Sequence, residues 1–253
     1  MKAKQLFSAR NIAYFGILLA LVIVLQWFAS AIPIASGVQL NLSLIPIVLG
    51  AILFGMAGGA LLGAACGIIV LIQVVVIPSP FYTTIWTYSP VITSFTCIVK
   101  TTVAGLVAGL LYRVIAKKSS IAAVFVAAGI VPIINTTLFI LGCLCMSNTL
   151  TVFRDILVKD FEMVQFDGMN VFVFILVGVV TFNFFIEFAI NMVLAPAIHR
   201  VMLIVEKQLG KKTKKAQPEE EGAVSAEEGV AQSPEEAKPL TEGPQKVQEE
   251  KSE

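Results

Sequence analysis

The sequence predicts an all-α membrane protein, a bundle of six transmembrane helices with the N- and C-termini cytoplasmic. Three observations carry this. The 253 residues are 57% hydrophobic and only 14% charged, against roughly a quarter charged in a soluble domain. Charge is missing from long stretches: Lys100 alone between Asn11 and Tyr112, none between Ile121 and Phe153, Glu187 alone between Val171 and Ile198. Lysine and arginine gather in short clusters, and the positive-inside rule converts those into an orientation.

The first helix is expected over residues 11–31. Its start, "MKAKQLFSAR", followed by an apolar run and Ala29–Ala31, imitates a secretory signal with a cleavage site. The run from Ile12 to Phe28 outlasts the roughly 7–15 residues of such signals and suits a span of about 20, so it reads as a retained helix. A short second helix follows over 42–54 and a third over 56–77. The fourth is expected over 90–116, the fifth over 121–146 and the sixth over 171–204. Pro33, Pro46, Pro78, Pro80 and Pro90 fall at or near the ends, where proline is tolerated. Pro132 and Pro196 sit inside spans, where a membrane helix absorbs the kink.

Lys2, Lys4 and Arg10 precede the first helix, Arg113, Lys117 and Lys118 follow the fourth, and Arg200 and the lysines from 207 to 215 follow the sixth. An even number of spans puts all three clusters on one face. The chain then divides into a cytoplasmic N-terminus (1–10), a transmembrane substrate-binding domain (11–205) and a disordered charged cytoplasmic tail (206–253). The tail is rich in Glu, Pro, Gln and Ser without an aromatic residue, too little to bury a core. Its "GKKTKK" superficially resembles a phosphate loop but lacks the upstream glycine and the strand. The four cysteines, Cys66, Cys97, Cys143 and Cys145, lie in apolar segments without zinc spacing, and behave as small hydrophobes.

In "FGMAGGALLGAACG" glycine recurs at Gly55, Gly59, Gly63 and Gly67. Helices in lipid gain little from hiding apolar surface, so close backbone approach along small residues holds them together. The stripe is therefore a docking face, either for another helix of the bundle or for a partner. The fourth helix has matching ridges, Ala104/Ala108 and Gly105/Gly109, and the first offers Ala13, Gly16 and Ala20. As an end element, the first helix either packs inward with that face or receives a separate membrane partner.

The succession "NLSLIPIVLGAILFGMAGGALLGAACG", "YSPVITSFTCIVKTTVAGLVAGLLYRVI" and "VPIINTTLFILG" resembles the substrate-binding S component of energy-coupling factor (ECF) vitamin transporters, within their riboflavin/pantothenate/folate branch. The resemblance covers about residues 10–205. Met56 stands where the family often has proline. It implies a six-helix bundle that binds a vitamin on the outer side and associates with a membrane scaffold subunit and two cytoplasmic ATPases. Hydrolysis by those ATPases is thought to topple the S component so that its pocket opens inward. The family's scaffold-contact motif, two alanines four apart in the first helix, is matched by Gly16-Ile-Leu-Leu-Ala20 with glycine first.

Polar groups at membrane depth are costly, so they face a cavity, a partner or each other. Lys100 lies about ten residues, roughly 15 Å, into the fourth helix, and Glu187 about 16 residues, roughly 24 Å, into the sixth. They either form an ion pair tying two helices together or contact a ligand. Asn183, Glu187 and Asn191, spaced by four, make one stripe, with Asn183 nearest the outer pocket. Asn135, Thr136 and Thr137 follow Pro132 in the fifth helix.

The loop "PSPFYTTIWTYSP" concentrates Phe81, Tyr82, Trp86 and Tyr88, either as an interfacial aromatic belt or as stacking faces for a planar ligand; Trp86 and Tyr88 are the candidate contacts. "SGVQLNLS", around Gly37, suits a lid from which Gln39 and Asn41 close over the ligand.

These features predict a vitamin-binding importer subunit embedded in the lipid bilayer of the cell membrane, riboflavin first because the pocket mixes aromatics and amides with little positive charge. A stand-alone ion-coupled transporter using Lys100 and Glu187 is the alternative; the spans show no inverted repeat. An enzyme reading finds no nucleophile–base set, since the only histidine, His199, sits at a helix end and no aspartate lies within a span. No cofactor, metal or nucleic-acid partner is expected.

Overall fold

A computed structural model describes residues 9–31 and 39–228, with side chains to residue 205 and at 207. Among the described residues all regular structure is helical: α1 (Ala9–Ser30), α2 (Leu44–Val76), α3 (Pro80–Tyr88), α4 (Pro90–Ile115), α5 (Ser120–Cys145), α6 (Ser147–Asp160), a 3-10 turn (Val164–Phe166), α7 (Val171–Phe174), a π-helical segment (Ile175–Val180) and α8 (Thr181–Glu228). Helical backbone thus continues past residue 204. The chain divides into one unit ending at Val205 and another beginning at Glu206. Residues 1–8 of the expected N-terminal segment and 229–253 of the expected tail lie outside the described residues.

Among the described residues, five helices are long and apolar enough to cross a membrane: α1, α2, α4, α5 and Val171–Val205. The expectation was six. The difference lies in α2, where the expected second and third helices run together. Gly55 interrupts it with φ 72° and ψ −161°, a conformation essentially confined to glycine. The two arms fold back on each other there. A Cβ built on Gly58 would stand 2.9 Å from the carbonyl oxygen of Gly50, and one on Gly59 would stand 2.8 Å from Ala51 Cβ. Eight residues along a straight helix span about 12 Å, so these contacts require a hairpin. The first arm is buried on nearly every side, from Leu44 through Ile52, as a helix apolar all round must be.

The second arm lies against α4. A Cβ on Gly59 would overlap the Gly105 carbonyl, one on Gly63 the Thr101 carbonyl, and one on Gly67 would stand 2.6 Å from the Cys97 carbonyl. The reciprocal contact runs from Gly105 back to Gly59. Thr101 Oγ1 donates to the Gly63 carbonyl at 2.6 Å and pins the crossing. Of the two readings of the glycine stripe, the structure thus gives a helix–helix seam inside the bundle.

The stretches read from sequence as loops hold two further helices. Pro80 and Pro90 begin α3 and α4, a position where the missing N–H is harmless. In α6, Leu150, Phe153 and Leu157 turn inward, the spacing of an amphipathic helix. Phe81, Phe153, Phe174 and Phe166 form a chain of tilted and edge-to-face rings with centroids 5.2–5.9 Å apart. Arg154 donates to the Met169 carbonyl and pairs with Asp155 at 2.9 Å. These rings tie α3, α6, α7 and the 3-10 turn to one another.

Candidate functional site

Phe81 also borders a cavity of about 50 Å³ whose wall is drawn from eight segments of the chain. α1 contributes Gln26, the segment before α2 contributes Gln39 and Asn41, and α2 contributes Val70 and Val74. Phe81, Tyr82 and Ile85 come from α3, and Cys97 and Lys100 from α4. Asn135, Thr136 and Phe139 come from α5; Val179 and Val180 from the π segment and Asn183 and Glu187 from α8 complete it. A π-helical segment inserts an extra residue per turn, and such departures concentrate at functional sites. Here the segment itself supplies Val179 and Val180 to the wall and ends three residues before Asn183.

Six sequence-selected residues meet in this wall: Gln39, Asn41, Lys100, Asn135, Asn183 and Glu187. The other two candidate contacts do not. Tyr88 is 60% exposed and borders a separate groove beside Cys145 and Asn148. Trp86 packs half-buried against the core. Phe81 and Tyr82 are the aromatic residues of that stretch that reach the cavity, because α3 is helical and buries a single face. Burial pushes the Tyr82 phenol up, so it acts as a neutral hydroxyl. Of the other polar residues singled out in these two helices, Thr137 donates to the Ile133 carbonyl at an exposed position and Asn191 donates to the Glu187 carbonyl. Gly37, in the expected lid, lies outside the described residues.

The polar groups are placed but not saturated. Glu187 Oε1 accepts the Asn41 backbone N–H at 2.7 Å, and Asn183 Nδ2 donates to the Gln39 carbonyl at 3.4 Å. That carbonyl can only accept, so Asn183 must present its own oxygen elsewhere. Asn183 Oδ1, Asn135 Oδ1, Gln39 Oε1 and Asn41 Nδ2 are all buried without a hydrogen-bond partner. Such orphans each cost about 1–3 kcal/mol and native proteins keep few of them, yet four belong to this one wall. Lys100 Nζ sits 4.7 Å from the centroid of the Phe139 ring. The only ion pair within 4 Å among the described side chains is Arg154–Asp155, so Lys100 and Glu187 share the cavity without a contact pair.

Gln26 escaped the sequence reading. It is a neutral amide in an otherwise apolar run, 2% exposed, and the rule that costly intramembrane polar groups have a purpose applies to it as fully as to Asn135. Its partner Gln73, fully buried in α2, escaped in the same way.

On α1, Ala13, Gly16 and Ala20 are all exposed, and a Cβ on Gly16 would meet nothing within 4 Å. Leu18, Val22, Gln26 and Ala29 turn inward on the other side of the helix.

A search among curated proteins finds no match to the chain. The family model of the ECF transporter substrate-specific component matches residues 10–199, which takes in α1, the glycine seam and every residue of the cavity wall. Members of that family are transporter subunits and not enzymes, and they work with scaffold and ATPase subunits on a small-molecule substrate. A polar cavity inside an apolar helical bundle is what such a subunit requires, and the chain belongs to the ECF transporter substrate-specific component family.

Proposed function

We propose that this protein is the vitamin-binding subunit of an ATP-driven importer in the cell membrane, with riboflavin its first candidate substrate and pantothenate and folate the next. One observation carries the reading: four orphaned amide atoms from three separate segments converge on a single buried cavity. The wall combines amides with Phe81, Tyr82 and Phe139 and holds one cation, Lys100. A planar, uncharged ring system with hydrogen-bonding edges suits that lining better than an anion, which would also meet Glu187. The enclosed space is small for a vitamin, since ligand pockets run to about 300–1,000 Å³, so binding requires the wall to open.

The two arms of α2, antiparallel about Gly55, support six crossings with both ends cytoplasmic. The exposed Ala13–Gly16–Ala20 face supports α1 as the scaffold-docking helix. The full chain, purified without partners and titrated with riboflavin, pantothenate and folate, should bind one of them at nanomolar affinity without a cation requirement. It should transport nothing in liposomes until scaffold and ATPases are added. Uptake by the lone chain driven by an ion gradient would reject the reading in favour of a secondary transporter. Replacing Ala20 with Trp should abolish uptake by the assembled importer while vitamin binding survives; continued uptake would move the docking face elsewhere.

A further inference from the structure

From Asn41 on the cavity wall to Gln26 of α1 runs a buried chain of side-chain hydrogen bonds in which one hydroxyl serves two amide oxygens. Asn41, whose backbone N–H is held by Glu187, presents Oδ1 to the Ser43 hydroxyl at 2.6 Å. The same hydroxyl lies 3.0 Å from Gln26 Oε1 and 2.8 Å from Cys66 Sγ. A hydroxyl has one proton to donate, so Asn41 and Gln26 compete for it; the Cys66 thiol, 3.7 Å from Asn41 Oδ1, is a second but weak donor to the same oxygen. Gln26 in turn locks α1 to α2: its Nε2 donates to Gln73 Oε1 at 3.0 Å, and Gln73 Nε2 donates back to the Gln26 carbonyl at 3.2 Å. Ser43 and Gln73 are fully buried, and hydrogen bonds away from water are at their strongest there.

We propose that Ser43 and Gln26 are positioning residues through which occupancy of the cavity and the hold on α1 become one linked equilibrium. The inference rests on the binding-subunit reading above. Asn41 Nδ2 is buried, without a partner, on the cavity wall. A substrate that accepts from it fixes that amide and strengthens its oxygen as an acceptor. The Ser43 proton is then committed to Asn41, and Gln26 Oε1 loses its donor. The grip of α1 loosens on the helix whose opposite face is exposed at Ala13, Gly16 and Ala20. By reciprocity, anything that tightens or releases α1 changes substrate affinity by the same factor.

The test is amide hydrogen exchange along Gln26–Ser30 in the full-length chain in detergent, unloaded and saturated with riboflavin, with pantothenate and folate run in parallel. Loading should speed α1 exchange at least threefold in the wild type. Ser43→Ala, brought to saturation at its own affinity, should show no change on loading, and Ser43→Thr should restore it. An equal response in Ser43→Ala, or none in the loaded wild type, overturns the proposal. If none of the three vitamins binds the wild type, the vitamin reading falls and the ligand-free arm decides this one. Unloaded Asn41→Leu removes the competing acceptor and should slow α1 exchange at least threefold; unchanged exchange there also overturns it.

Discussion

Removing an orphaned amide from the cavity should raise the stability of the empty protein while lowering its affinity. Asn183 is 7% exposed, its Oδ1 has no partner, and its Nδ2 makes one bond of 3.4 Å to the Gln39 carbonyl. That distance is well beyond the usual 2.9–3.0 Å, so the bond contributes less than about 1 kcal/mol. The unsatisfied oxygen costs about 1–3 kcal/mol. Asn183→Leu, close to isosteric, should therefore leave the empty protein unchanged or up to about 2 kcal/mol more stable. Loaded with substrate, the balance reverses. The variant loses a hydrogen bond and strands a buried donor on the ligand, together about 2 kcal/mol, or roughly thirtyfold in affinity. Asn135→Leu should behave alike, since Asn135 Oδ1 is equally orphaned. Denaturant unfolding in detergent without ligand, paired with vitamin titration, reads both quantities. Empty-state stability lost by more than about 1 kcal/mol in both variants, with affinity intact, would refute the reasoning and make these amides structural.

Two other expectations rest on geometry alone. Gly63→Ala forces a methyl into the Thr101 carbonyl and disturbs the Thr101–Gly63 hydrogen bond, so thermal unfolding should show a loss of about 1–3 kcal/mol; Gly16→Ala, with open space around it, should match wild type. Tyr88→Ala should change vitamin affinity less than about twofold, and Tyr82→Leu should lower it about tenfold, a difference near 1.4 kcal/mol measured by the same titration, because only Tyr82 lines the cavity.

Much of the site was legible because intramembrane polarity is informative one residue at a time. Lys100, Asn135, Asn183 and Glu187 announce themselves against apolar neighbours, and all four reach the same wall. The aromatic contacts were not legible. Phe81, Tyr82, Trp86 and Tyr88 are chemically equivalent candidates in a nine-residue stretch, and which two face inward depends on that stretch being the helix α3. Gln26 carried the same signal as Asn135 but stands alone in its apolar run, without the adjacent hydroxyls and nearby proline that mark Asn135. The Lys100–Glu187 pair was an open alternative in sequence; Phe139, lying under the ammonium, is the neighbour that no spacing rule foretells.

By itself the sequence determined the solvent and the class of the protein: long charge-free apolar runs, basic clusters between them, and a glycine period of four are local properties, and the bilayer reads them locally. The break at residue 55 was already expected between the second and third helices; tertiary structure alone decided the close packing of the two arms, the pairing of the glycine stripe with α4, and the meeting of Asn41 with Glu187 across 146 positions of chain. The physical reason is rotational phase. A helix's composition says that some face will be buried, but close backbone contacts with its neighbours choose which face, and with it which polar atoms are left looking into an enclosed space without a partner.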